Sequence, residues 1–250
     1  MARADRTRIR PLDRFRTTPV IAPLAGLSSM ATRALLADLS AAYTAAHGLE
    51  VRFESIGGVD AARRVEAGEA LDLVVLAAEA MERLLGAGHL RAGSLRPIAD
   101  SPMFIASPEG HARPAVDTAD ALRQALLGAR AIGYSTGPSG QALLKLLEYW
   151  GLRHALADRL RQSPAGVPVA KSVAQGDVDL GFQQLSELLG HGGLTILGPM
   201  PPGLEIVTRF TAAVAASSAE PATAQRVADD FASPRHDALR RRLGLASPAV

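Results

Sequence analysis

The stretch Ala131-Ile132-Gly133-Tyr134-Ser135-Thr136-Gly137-Pro138-Ser139-Gly140, continued through residues 141–150, reads as an apolar strand that stops in a hydroxyl- and glycine-rich turn and opens into a helix. Such a turn is a seat for an anion. Gly137 and Gly140 allow close backbone approach, Ser135, Thr136 and Ser139 carry hydroxyl donors, and Pro138 suits the first turn of a helix whose free amides attract negative charge. The turn lacks the Gly-Lys-Ser/Thr of a nucleotide P-loop, so a small oxyanion or carboxylate fits it better than ATP.

Strand-like runs alternate with helical patterns on either side of this turn, the signature of an α/β fold with a largely parallel sheet. A first unit runs from a strand at 20–23 through a turn holding Gly26, Ser28 and Ser29 into a helix carrying Leu35, Leu36, Leu39, Ala42, Tyr43 and Ala46 at three- and four-residue spacing. A strand at 51–54 ends in Ser55-Ile56-Gly57-Gly58, and the nearly continuous apolar run 71–77, interrupted by Asp72, fits a parallel strand covered on both faces. Beyond the opening stretch the spacing predicts helices over 153–161, 169–175, 186–189 and 222–231. Strands are expected at 103–106, 179–182, 194–197, 206–210 and 212–215. Ser101-Pro102 and the proline-rich run 198–203 interrupt the alternation and mark crossovers between two halves.

The chain has 250 residues, 48% of them hydrophobic, enough for a substantial core. Six of its 27 basic residues are arginines within positions 1–18, a segment that reads as a flexible leader. Without that leader, which also holds Asp5 and Asp13, 21 basic residues face 23 acidic ones. A chain with a near-neutral body and, in all, three tyrosines, one tryptophan and six phenylalanines lacks the basic, aromatic face of a nucleic-acid binder. Arg240-Arg241-Arg242 is expected at a solvated helix end. There is no cysteine, the six histidines show no metal-ligand spacing, and neither a metal nor a cofactor is expected. No apolar run reaches the 18 residues of a membrane span. Residues 19–31 are broken by Pro23, Gly26, Ser28 and Ser29 and make a poor signal peptide, which places the chain as written in the cytoplasm.

Five segments, taken in order, resemble the molybdate-binding branch of the type 2 periplasmic substrate-binding proteins. They are Gly26-Leu27-Ser28-Ser29-Met30, residues 65–75 around Gly68-Glu69, the Gly133 to Gly140 turn, residues 173–182 around Gly176-Asp177, and Ser233-Pro234. The resemblance runs from about residue 20 to 246 and implies two α/β lobes, one of residues 19–100 plus 200–250 and the other of 101–199, with a small anion in the cleft between them. It further implies a monomeric, periplasmic receptor serving the membrane component of an ABC transporter. The ligand-binding residues it implies are Ser28, Ser29, Gly57, Gly58, Ser135, Thr136, Ser139 and Gly140, while Gln183 and Gln184 at a strand end and Lys171 at a helix start stand where they could hold carboxylate oxygens.

Glu54-Ser55-Ile56-Gly57-Gly58-Val59 and Phe182-Gln183-Gln184-Leu185-Ser186-Glu187-Leu188, together with the central turn, are also similar to a subgroup that contains aconitate isomerase. An allylic proton transfer on a tricarboxylate needs a base, for which Glu54 and Lys171 are the candidates. Each residue also has a plainer reading. Ser28 and Ser29 serve equally as helix caps, Gly57-Gly58 as a tight turn, Gln183 as a cap or a solvent contact, and Lys171 as an exposed charge. Gly133-Tyr134-Ser135-Thr136-Gly137 matches the hydrolase elbow Gly-x-Ser-x-Gly, with His191 or His236 as partner, but Pro138 falls where the elbow's helix needs an amide.

Overall fold

Residues 22–164 and 166–248 are described by the structure, a computed structural model; the arginine-rich leader, Val20 and Ile21 lie outside them. The first sheet is built from β1 (Leu24–Ser29), β2 (Val51–Ile56) and β3 (Leu73–Ala77), with α1 (Arg33–His47), α2 (Gly58–Glu66) and α3 (Ala78–Gly86) following them in turn. β1 pairs in parallel with both β2 and β3. The apolar run of β3 explains its central place. Leu73, Val75 and Ala77 enter the core under α1 and α8 (Pro221–Phe231), while Val74 and Leu76 enter the core under α2 and α3. Both faces are dry, as continuous apolarity requires.

The second half contains β4 (Arg96–Pro108), α4 (Ala119–Gly128), β5 (Ile132–Tyr134), α5 (Pro138–Tyr149), β6 (Leu160–Gln162) and α6 (Val169–Ala174). It continues with β7 (Leu180–Gln184), α7 (Leu185–Leu188), β8 (Leu194–Pro199) and β9 (Val207–Val214), and α9 (Asp237–Arg242) closes the chain. The strand order is β2-β1-β3-β9-β4-β7-β5-β6, with β8 also on β4. Outer strands pair in parallel, whereas every pairing of β4, β8 or β9 is antiparallel.

β4 joins the halves. Its residues Arg96 to Pro102 pair with β9, and from Met103 onward it pairs with β7 and β8. The strand is longer than the expected 103–106 because Pro97 and Pro102, which donate no amide, sit within it without ending it. The two strands expected at 206–210 and 212–215 are one, β9, pairing continuously across Thr211. The helix expected at 153–161 does not form. A 3-10 turn at Ala157–Arg159 leads into β6, where the parallel edge of β5 takes up residues 160–162.

The arginine run at the C-terminus is not uniformly solvated. Arg241 and Arg242 are exposed, but Arg240 is fully buried. Its guanidinium donates to the carbonyls of Ile98, Ser233 and Phe231 and to Asp237. Ile98 lies where the β4–β9 register shifts, so the arginine satisfies a carbonyl that the ladder leaves over.

Candidate functional site

The C-terminal ends of β1, β2, β3, β5 and β7 each open into a helical turn, and they meet around a small cavity of 70 Å³. One wall is Ser29, Met30, Gly57, Ala77 and Phe210; the other is the turn from Ser135 to Pro138, the loop residues Pro164 and Gly166 to Pro168, and Gln183, Gln184 and Glu187. The volume is far below the roughly 300–1,000 Å³ of drug-sized pockets and suits a ligand of few atoms.

The helix ends here share a local property. Ser29, Gly57, Ala77 and Gly137 are the residues preceding the first 3-10 turn, α2, α3 and α5, and none of them places a side chain on the following amides. Thr118, which precedes α4 and does not line the cavity, does cap its helix through the amide of Ala121. Three of the four cavity positions have no side-chain acceptor to offer, so the first-turn amides keep their partial positive charge for another oxygen.

Of the residues expected at the site, Ser29, Gly57, Ser135, Thr136 and Gln183 line the cavity. The hydroxyls of Ser29 and Thr136 donate to no group among the described residues. Ser28 lies one step back, fully buried, its Oγ 2.8 Å from Ser55 Oγ and so tying β1 to β2 rather than capping a helix. Gly58 borders an adjoining cavity with Ala62, Arg63 and Pro138. Ser139 and Gly140 support the turn from behind: Ser139 Oγ is 3.2 Å from Ser135 Oγ, and a Cβ on Gly140 would strike the Ser135 carbonyl. Lys171 is exposed on α6 and outside the lining. Glu54 is also outside it, with both carboxylate oxygens held by Arg64 at 2.7 and 2.8 Å.

Two further lining residues carry chemistry: Gln184, which the sequence placed at a strand end with an amide for carboxylate oxygens, and Glu187, to which it gave no role. Gln184 is 4% exposed, and its side-chain amide has no hydrogen-bond partner among the described residues. Glu187, in the first turn of α7, is the only ionisable side chain that the described residues place in the lining. Burial pushes its carboxyl up to about 7, opposed by a hydrogen bond from Gln183. Gln183 is itself oriented, since its Oε1 accepts the Ala170 amide at 2.9 Å, which leaves its amide nitrogen for Glu187. Among the described residues no lysine, arginine or histidine lines the cavity. The elbow reading of Ser135 therefore lacks its histidine among the described residues, and α5 begins at Pro138, two residues later than an elbow requires.

A sequence profile of a bacterial extracellular solute-binding protein family matches residues 24–245. The chain belongs to that family. Among solved structures, the periplasmic molybdate-binding protein of Azotobacter vinelandii superposes with a TM-score of 0.76, covering 90% of this chain and all of that one at 22% identity. The tungstate-binding protein TupA of Desulfovibrio alaskensis superposes with a TM-score of 0.67 at 18% identity, over 92% of this chain and 100% of its own. A curated relative, aconitate isomerase of a Pseudomonas species, is 29% identical over 228 residues, 87% of each chain. The fold is thus that of the two-lobed type 2 periplasmic binding proteins. No helix among the described residues is long and apolar enough to cross a membrane.

Proposed function

We propose that the protein captures a small anion in the cavity by closing two lobes over it, without any cationic side chain. The observation that carries this reading is the convergence of helix starts without side-chain caps on a cavity that holds no lysine, arginine or histidine. Hydroxyls of Ser29, Ser135 and Thr136 and the amide of Gln184 supply neutral donors beside the backbone amides. At roughly 1.5–3 kcal/mol for each hydrogen bond to a charged group, four or five offset the cost of immobilising a ligand and reach about micromolar affinity. The lobes on this reading comprise residues 19–100 with 200–250 and residues 101–199. The change of β4 partners between Pro102 and Met103 supports that division. Ser28, Gly58, Ser139 and Gly140 act behind the first layer, and Lys171 contributes only if closure moves α6. A periplasmic receptor delivering its anion to an ABC transporter accords with the structural likeness to a substrate-binding domain assigned to a molybdenum ABC transporter and to a periplasmic molybdate-binding protein.

A second reading has its own observation. Glu187 is a carboxyl poised near neutral pH inside the cavity, as a proton-transferring base should be, and the curated relative is an isomerase. Glu187 then replaces Glu54 and Lys171 as the base.

A thermal-shift panel of molybdate, tungstate, sulfate, phosphate, citrate and both aconitate isomers separates the readings. A ligand at about 1,000 times its Kd adds about 4 kcal/mol, or a rise of roughly 8–16 °C for a chain of this size. Stabilisation by oxyanions alone supports the receptor and excludes the isomerase. Stabilisation by aconitate, followed by interconversion of its isomers in NMR spectra, establishes the enzyme. No response from any anion overturns both.

A further inference from the structure

We propose that Glu187 carries a proton whenever the anion is bound, so that capture takes up one proton and the cleft releases its ligand as pH rises. The inference rests on the small-anion reading above. A bound anion would share a 70 Å³ cavity with the Glu187 carboxyl, and the lining holds no cation to offset two negative charges. Like charges at such separation in a partly dry site do not both persist, and the weaker acid keeps its proton. A protonated Glu187 also changes role, because its O–H becomes a donor toward the anion while its other oxygen still accepts from Gln183.

Among the described residues the surroundings leave no other group to compensate. The 3-10 turn at Met30–Thr32, which receives the Ser186 hydroxyl on the Ala31 carbonyl, has no charged residue. β7 has none either, and α7 has Glu187 alone. β4 contributes Arg96 and Asp100, engaged by Asp229 and Arg209 respectively, and β9 contributes only that same Arg209. The segment after α9, where Gly244 packs near Leu185 and Leu189, is preceded by Arg240, held by backbone carbonyls and Asp237, by exposed Arg241, and by Arg242, paired with Asp38. α5 brings Lys145 and Glu148 only beyond its first two turns, and the one charge of α6, Lys171, is exposed. Asp60 at the start of α2 is paired with Arg63. Burial already pushes the Glu187 carboxyl up to about 7, so a nearby anion has little more to do to keep the proton there.

The coupling is read by isothermal calorimetry on the full chain between pH 6 and 9, with molybdate, sulfate and trans-aconitate as probes; molybdate and sulfate keep their charge over that interval, and the slope for trans-aconitate is read above pH 7, where it is fully ionised. Kd is expected to be level near pH 6 and to rise about tenfold per unit above 7, up to about a hundredfold at pH 9. Heats measured at pH 8 in buffers of different ionisation enthalpy are expected to report uptake of one proton per anion. Glu187→Gln, which keeps a donor but cannot titrate, is expected to bind with a Kd that does not move with pH and to show no proton uptake. A wild-type Kd that is flat or falls with rising pH, with no proton uptake, overturns the proposal while the receptor reading stands. An unaltered pH slope in Glu187→Gln overturns it too, by moving the proton to another group. Failure of all three probes to bind at pH 6 overturns the receptor reading and this proposal together.

Discussion

Glu54, on edge strand β2, and Glu187, in the first turn of α7, are the same side chain held in opposite surroundings. Glu54 is more than half exposed, grips Arg64 through both oxygens, and has its carboxyl held below the usual range by that guanidinium. Arg64 reaches Glu69 as well, forming a three-residue charge network on the outer face of α2. Glu187 has no cation and is pushed up to about 7 by burial. The difference shows how the molecule distributes its charges. Paired ions sit on the rim, where water supports them, while the cleft is lined with dipoles and one neutralisable acid. A site so built can hold an anion by hydrogen bonds and still release it, since no buried ion pair has to be broken.

That contrast can be broken at four places, and the largest effect is expected where the cleft wall itself is attacked. Gly140→Ala puts a methyl group into the Ser135 carbonyl. It should cost about 3 kcal/mol in a urea titration and abolish ligand-induced stabilisation. Next is Glu187→Gln. Between about 4.5 and about 7 the folded chain holds a proton at Glu187 that the unfolded chain has lost, so wild-type stability falls across that window and stays lower above it. The variant is therefore expected to be about 2 kcal/mol more stable than wild type at pH 8 and no more stable at pH 4.5, as measured by denaturation at both values.

Gln183→Leu removes the acceptor of the Ala170 amide and the donor to Glu187 in one step. The unsatisfied amide should cost about 1.5 kcal/mol, and a carbon-13 NMR titration should find the Glu187 carboxyl further above 7. The smallest change is expected from Glu54→Gln. Its loss of an exposed ion pair should leave the melting temperature within experimental scatter and the Kd for any bound anion within about twofold. A large loss of binding there would mean that rim and cleft are not electrically separate.

The opening stretch was legible because its information is local. Ile132 to Tyr134 form β5, Gly137 precedes the helix, and Pro138 starts it, each where strand periodicity and helix-start chemistry put it. The apolar run around β3 was legible for the same reason. Glu187 was not, although its heptapeptide had been singled out. A glutamate in a four-residue helix looks like any solvated charge until β7 is known to end at the cleft and Gln183 to turn toward it. Arg240 was illegible likewise, since its partners at Ile98 and Phe231 are distant in sequence and are backbone carbonyls, which no residue type announces. Glu54 and Lys171 were candidates by position near strand and helix ends. Side-chain direction, which Arg64 decides for Glu54, is a tertiary property.

The pairing of β3 with β9 has a consequence for how the chain is made. β3 ends at Ala77, and β9, which covers its edge, begins at Val207, 130 residues later. At ~5–20 residues per second a ribosome needs roughly 7 to 26 seconds to deliver that partner. For that interval the nascent chain offers a bare, wholly apolar strand, Leu-Val-Val-Leu-Ala, to any neighbour that can extend a sheet. Yield in a cell is thus expected to depend on translation speed and chaperone supply more than on the stability of the finished fold, and slower synthesis at low temperature would have to be balanced against longer exposure of that edge.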